Sequence, residues 1–506
     1  MDGYIVAHDL GTSGDKATLF SLSGKLVKSI TIPYHTEFSN SSWGEQNPED
    51  WWKAVKEGTN YLTNDIDNKC IRAFVCCGHM MGCLCVDKKG IPLHNSIIWT
   101  DMRAEEEKKI IENSMPISEF HAITGQRPSA AYTLPKLMWM KKHMPDIYEA
   151  TYKVLLTKDY IVHRLTGRFV TDHSDASGTM AYDLINRRWS EKVIELAELD
   201  FDIFPEILNS TDVVGEICFE AASELGLKKG TPVVLGGGDG RCSSVGAGNV
   251  SYGKGHVSLG TSAWAQATVR EPIYDEQIRL TNWAHIVPGF YVTTGPSHNA
   301  GSTYNWFIEQ FCGLETQRAK ESSTNVYEEI NQLIETARPG SNGLIFLPYL
   351  LGERSPRWNP DTHGAFIGLK MKHNRADICR SVVEGIAYNL CIIMNILRKD
   401  VAINSMGLVG GMAKGAIIQQ IMADVFGIPL NKLKTSDDAA SIGAAVTAGV
   451  GIGAFSSFER INDFIEIENT IQPDLNNHAL YKQKLELFDK SYYALYDIFT
   501  ELARSN

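Results

Sequence analysis

The sequence predicts a mixed α/β protein built as two similar lobes, and three observations carry that prediction. Period-two apolar runs flanking glycine turns open each half, and helical segments follow them in both halves. One four-residue loop, Leu-Gly-Thr-Ser, stands at residues 10–13 and again at 259–262, close to half of the 506 residues apart. A chain of this length exceeds a single core, which points to two domains, here 1–248 and 249–506.

The first half opens with strands expected over residues 4–9, 15–21 and 26–32, joined by glycine turns. Asn47 caps a helix whose first turn holds Pro48, Glu49 and Asp50, and whose apolar positions run to about Leu62. Strands are expected near 71–77 and 83–87, then helices over 102–113, 134–143, 157–165 and 189–199. Val233-Val234-Leu235 is a short buried strand that runs into Gly236-Gly237-Gly238-Asp239-Gly240. Strand, strand, strand, helix, strand is the order of a mixed sheet and not of a pure βαβ series.

The second half restarts at the second loop. Strands are expected near 283–287 and 290–294, helices from Ser302 and over 324–336, a surface loop over 353–363 and one long helix over 374–397. A strand ends in Leu408-Val409-Gly410-Gly411 before a helix over 413–426. The Ala- and Gly-rich stretch 439–453 reads as a closely packed internal helix, too short for a membrane span.

Composition bounds the function. Hydrophobic residues at 43% and charged residues at 21% describe an ordinary globular protein. A formal net charge of −12 argues against a non-specific grip on nucleic acid or anionic membrane, but not against a small polyanion bound locally. Asp2, His8 and Asp9 interrupt any N-terminal apolar run, so no signal peptide is read and a cytoplasmic protein is expected. Ten cysteines in such a chain make no disulfide scaffold, and Cys76, Cys77, Cys83 and Cys85 match no zinc spacing, so buried free thiols are expected.

The repeated loop reads chemically as a polyanion cradle. Gly11 and Gly260 let peptide N–H groups approach a ligand, with φ free to turn positive, while Thr12, Ser13 and Thr261 add hydroxyl donors. Asp9, directly before the first loop, is placed to face a cation that a phosphate brings with it. No Gly-Lys-Ser or Gly-Lys-Thr follows, so this is not a helix-opening P-loop. Asp239, at a strand end among glycines, is either a base with open access to a small alcohol or the cap of the next helix. Gly410 and Gly411 leave room for a flat group such as a nucleobase or ribose.

These segments together resemble the FGGY family of carbohydrate kinases, within the larger group that shares the two-lobed actin-like and hexokinase-like ATPase fold, a ribonuclease H-like fold. Residues 7–16 resemble its first phosphate motif and 255–262 the second; 408–414 with 419–424 resemble the adenosine region, and 134–139 and 364–384 two family signatures. The resemblance implies a mixed five-stranded sheet core in each lobe, with ATP and Mg2+ bound between the lobes. Asp239 is then the base that takes the proton from the sugar hydroxyl, and Asp9 lies at the metal. Gly11, Thr12, Ser13, Lys16, Gly260 and Thr261 hold phosphates, and Gly410 and Gly411 pack against adenosine.

Within the family, residues 43–52, 98–103, 171–172 and 174–179 resemble the branch that phosphorylates the ketopentose D-xylulose to xylulose 5-phosphate. Met80, Met81, Trp99 and Asp101 are the sugar-side candidates. Two departures stand out: Met81 where that branch usually has histidine, and Gly240 where it usually has asparagine. In a strand His79 should face away from Met80. Losing two polar partners weakens the assignment to one sugar, and leaves open ribulose, erythritol, a signalling sugar or a sugar-binding regulatory protein. The expected partner is a small sugar or polyol, with no nucleic acid or membrane. A homodimer is compatible with the sequence, which does not set the oligomeric state.

Overall fold

The computed structural model describes residues 3–40, 42–434 and 438–505. Two sheets dominate it. The first contains β1 (Tyr4–Leu10), β2 (Gly14–Ser21), β3 (Leu26–Pro33), β4 (Ile71–Gly78), β5 (Val213–Glu216) and β6 (Pro232–Gly238), in the spatial order 5-6-4-1-2-3. The second contains β7 (Gly255–Leu259), β8 (Ala263–Val269), β9 (Thr281–Ala284), β10 (Tyr291–Ser297), β11 (Met406–Val409), β12 (Leu430–Leu433) and β13 (Ile467–Ile471), in the order 9-10-8-7-11-12-13.

The two sheets share one five-strand core. In the first, β3, β2 and β1 pair antiparallel, and β4 then β6 continue parallel to β1. In the second, β10, β8 and β7 pair antiparallel, and β11 then β12 continue parallel to β7. Hairpins serve the antiparallel pairs, whereas the parallel pairs need helical crossovers. In the first lobe α1 (Pro48–Thr63) connects β3 to β4, opened by Asn47 as expected. In the second, α2 (Arg375–Asp400) leads to β11 and α3 (Ala416–Phe426) to β12. Antiparallel strands β5, β9 and β13 extend the cores, and the sequence reading missed β13 and the helices beyond residue 474.

Strand alternation divides the first sheet's faces. Val6, Leu10, Ala17 and Leu19 pack with Trp51, Trp52, Val55 and Leu62 of α1. Ile5, Ala7, Ala73, Val75 and Cys77 face the other way, onto α4 (Asp239–Gly246) and α5 (Ala439–Gly451). This α5 is the Ala- and Gly-rich stretch, and it is internal as expected. It belongs to the second half of the sequence but lies under the first sheet, so the division at 248/249 is not a clean cut in space. Small residues allow this: a Cβ on Gly246 would overlap the carbonyl of Ala439, and one on Gly443 the carbonyl of Cys242.

The long apolar helix α2 has the length and composition of a membrane span, yet its apolar window is 89% buried in the second core. The expected strand at 83–87 forms as Leu84–Val86, but it pairs with Lys153–Leu155 outside the main sheet. All ten cysteines are free. Cys83 and Cys85 both lie against the Met140 sulfur, which fits packing and not metal ligation.

Candidate active site

The parallel strands bring the predicted residues to one level. Asp9 is registered with Cys77 on β4, and Cys77 with Gly237 on β6, so Asp9 and Asp239 end strands two places apart. That is roughly 10 Å between backbones. In the second sheet Ser258 is registered with Val409, so Gly260 and Gly410 likewise follow neighbouring strand ends. Open α/β sheets place ligands at such carboxyl ends.

Both loops are tight turns whose tips reach solvent. Gly11 N–H donates to the Gly14 carbonyl (3.0 Å), and Ser13, Thr261 and Ser262 are exposed. Contrary to expectation, neither Gly11 nor Gly260 has positive φ. A Cβ on either would come no closer than 3.4 Å to another part of the protein, so what the glycines provide is open space for a ligand. Gly410 does need glycine, with φ +101° and the Leu259 backbone against the place of its missing side chain, while Gly411 opens to solvent.

A chain of hydrogen bonds fixes the first loop. Gln46 Nε2 donates to the Thr12 carbonyl (2.7 Å), and its Oε1 accepts from Trp51 Nε1 (2.8 Å) and lies 3.1 Å from His79 Nε2. His79 thus turns from Met80 toward Trp51 and Thr157, and burial lowers its pKa to about 3, leaving a neutral ring. Tyr34 donates its hydroxyl to the Gly11 carbonyl. Trp99, half-exposed, donates Nε1 to Thr12 Oγ1 (2.9 Å), so it touches the first loop. Lys16 pairs with Asp438 at the start of α5, linking the hairpin to the second half of the chain.

Asp9 and Asp239 carry the unusual electrostatics. Burial, then repulsion from Asp239, raises the Asp9 pKa to about 7, while Cys77 Sγ–H donates to Oδ1 (3.5 Å). Burial raises Asp239 to about 6, opposed by the Gly240 N–H (2.5 Å) and the Arg241 charge. Asp239 is the first residue of α4, and Gly238, not Asp239, stands at its N-cap position, which disfavours the cap reading. Its strand end is braced from behind: Ser174 Oγ accepts from Gly238 N–H (3.1 Å) and donates to Asp172 (2.6 Å), itself paired with Lys158 (3.1 Å).

The sugar-side candidates separate. Met80 packs against Gly238 and clusters with Trp283 and Val292, and Met81 joins that cluster with φ +66°. Lys136 donates to the carbonyls of Met81 (3.0 Å), Ile98 (2.7 Å) and Ala131 (2.6 Å), fastening three segments at this wall, and burial lowers its pKa to about 7. Asp101 is different from what was expected. It is fully buried, with both oxygens taken by Arg103 and the Gly44 N–H, so it holds the fold and does not face a substrate. The sequence reading missed Tyr132, Trp283 and Arg241, which lie beside the methionines or Asp239 but in segments without a motif.

Beside the second loop, α6 (Gly301–Phe311) starts with the Gly301 and Ser302 N–H groups donating to the carbonyls of Gly260 and Thr261 (2.9 Å each). One turn on, a cavity of about 580 Å³ opens, lined by Asn305, Ile308, Glu309 and Tyr327 among others.

Comparison with known proteins decides the identity. The profile of the FGGY family of carbohydrate kinases, N-terminal domain, matches residues 4–246, and that of the C-terminal domain matches 255–452. This chain belongs to the FGGY family of carbohydrate kinases. It is 32% identical to a xylulose kinase of Staphylococcus epidermidis, covering 96% of each chain. It is 28% identical to a gluconokinase of Bacillus subtilis, covering 99% of this chain and 98% of that one. The crystal structure of a gluconate kinase from Lactobacillus acidophilus superposes with a TM-score of 0.91 at 26% identity, over 99% of this chain and all of that one. The FGGY protein described here is therefore an ATP-dependent phosphotransferase with a carbohydrate acceptor, on the two-lobed actin-like, ribonuclease H-like fold.

Proposed function

We propose that this FGGY kinase transfers the γ-phosphoryl group of ATP to a primary hydroxyl of a small open-chain sugar or sugar derivative, with D-xylulose the first acceptor to assay. The observation that carries the reading is Asp239: a carboxylate at the end of β6, raised to about 6, with no Cβ at residue 240 to cover it. A base of that pKa is ionised at neutral pH yet basic enough to accept a proton as the bond forms. The acceptor hydroxyl gives its proton to Asp239, its oxygen bonds to the γ-phosphorus, and the bond from that phosphorus to the β–γ bridging oxygen breaks to release ADP.

The exposed Ser13, Thr261 and Ser262 suit the phosphate chain, and the cavity beside α6 suits the adenosine, while the family resemblance assigns Gly410 and Gly411 to the same nucleoside. Among the described residues no group of three His, Cys, Asp or Glu side chains could hold a metal alone. Asp9 fits a magnesium ion that keeps its waters and is shared with phosphates, the usual arrangement for that ion. When bound, the ion neutralises charge on the phosphates. An ion there also suits Asp9 itself, whose ionised form is otherwise disfavoured by burial and by Asp239.

The choice of acceptor rests on the relatives and on one arginine. Relatives at 30–32% identity are named xylulose kinases, and relatives at 28% are named gluconokinases. The second reading, a sugar acid, is favoured by a buried arginine beside the base, Arg241, with nitrogens left unpaired. The reading is tested by ADP release against a panel of ketoses, polyols and aldonates. Acceptor-dependent release is expected with at least one open-chain compound. Release that no acceptor raises above the ATPase background, with sugar binding intact, would point to a regulatory sugar-binding protein.

A further inference from the structure

Arg241 is the third residue of the segment that carries the base, and its side chain is only 7% exposed. Nη2 lies 3.3 Å from Gln266 Oε1 on β8, but Nε and Nη1 are buried with no hydrogen-bond partner. The guanidinium sits 5.0 Å over the Trp283 ring, which stacks on Tyr132 at 6.0 Å. Arg241 makes no ion pair among the described residues, and Asp239 is the one carboxylate whose charge acts on it. Burial lowers its pKa to about 10, so it stays charged at neutral pH.

A second guanidinium serves the same wall. Arg354 acts electrostatically on Tyr132 and His298, yet its side chain makes no hydrogen bond or ion pair among the described residues. The wall therefore has two cations and two carboxylates: Asp239, which is occupied with the acceptor's proton, and Glu353, whose oxygens already accept from Ser297, Asn389 and the His298 and Arg354 backbone N–H groups. Its remaining members, Met80, Met81 and Trp283, add no negative charge, and the place of a side chain at Gly240 is empty.

Buried charged donors without partners are costly in the free protein, and that cost is relieved when an anion arrives. The end-on edge of a guanidinium, here Nη1 with the second N–H of Nη2, matches the two oxygens of a carboxylate. We infer that Arg241 recognises a carboxylate on the acceptor, so that the preferred substrate is a sugar acid of the aldonate class and not a neutral ketose. The carboxylate lies against Arg241 with Arg354 adding long-range attraction, and the far primary hydroxyl reaches Asp239. This rests on the kinase reading given above.

The test is initial-rate product formation by the full chain at fixed MgATP with D-gluconate, its neutral isostere D-gluconamide, and D-xylulose, in the wild type, Arg241→Gln and Arg241→Lys. The wild type is expected to show kcat/KM at least about 10-fold higher for gluconate than for gluconamide. Arg241→Gln is expected to shrink that ratio about 10-fold or more, with Arg241→Lys in between because it keeps the charge but not the fork. Equal use of gluconate and gluconamide by the wild type overturns the inference, and needs no variant to fold. Equal losses for all acceptors in Arg241→Gln also overturn it, by placing the arginine on the transferred phosphoryl group. Turnover of D-xylulose without gluconate removes the inference and leaves the kinase reading standing, whereas turnover of none of a broad panel removes both.

Discussion

Replacing Asp239 with asparagine keeps the shape of the base and removes its ability to take a proton. General-base catalysis of this kind contributes about 100- to 10,000-fold, so Asp239→Asn should lower kcat by that factor with little change in acceptor KM. The pH profile gives an independent reading. With the pKa at about 6, roughly a tenth of the carboxylates are ionised at pH 5 and nine-tenths at pH 7. A base works ionised, so wild-type activity falls as pH drops through 6, about tenfold between pH 7 and 5. Asp9, raised to about 7 in the nucleotide-free protein, would add a second acid limb, and saturating MgATP suppresses it by favouring the ionised carboxylate. The assay is therefore phosphorylated product formed per minute at saturating MgATP over pH 5–8, for both proteins. An Asp239→Asn variant that kept more than a tenth of wild-type kcat, or kept the acid limb near pH 6, would refute the assignment.

Four further outcomes follow from the geometry. Asp9 has a raised pKa, so the folded state holds its proton where the unfolded chain has lost it, and stability falls as pH rises from about 4 to 7. Asp9→Asn should thus abolish turnover yet melt higher than the wild type at pH 8, by of the order of 1 kcal/mol after screening, with the gap narrowing toward pH 4. Asp101→Ala removes the acceptor of the Gly44 N–H and leaves the buried Arg103 with Glu45 alone, and should cost about 3 kcal/mol in urea unfolding; preserved stability with a raised acceptor KM would instead return Asp101 to the substrate. Gly443→Ala drives a methyl into the Cys242 carbonyl where α4 meets α5 and should cost about 3 kcal/mol, seen as a lower urea midpoint. Gly240→Asn meets open space, so it should fold as the wild type does and raise kcat/KM for D-xylulose about threefold or more by adding a polar partner beside the base.

Much of the fold was legible because its signals are local. Alternating apolar residues mark β1, β2 and β3 whatever they pack against, and Asn47 with Pro48 opens α1 by capping alone. The site was legible where chemistry needs small or acidic residues at strand ends, as at Asp9, Gly260, Asp239 and Gly410. It was obscure where a side chain's role depends on a distant partner. His79 and Met80 are neighbours just past the end of β4, but only their distant partners, Trp51 and Thr157 for the one and Trp283 for the other, send the first to brace the loop and the second to the opposite cluster.

The sequence by itself determined that two similar sheets each end in a glycine-hydroxyl loop, because turn chemistry and period-two patterning are properties of short segments. Tertiary structure alone decided which charges are free to act. Asp101 looked available and is consumed by Arg103, while Arg241, which no motif marks, is left with two buried nitrogens unpaired beside Asp239. The reason is physical: a charge's role is set by the partners within a few ångströms, and those come from residues far away in the chain. The same holds for α5, whose glycines signal close packing but not its partner, and which crosses from the second half to complete the first lobe's core.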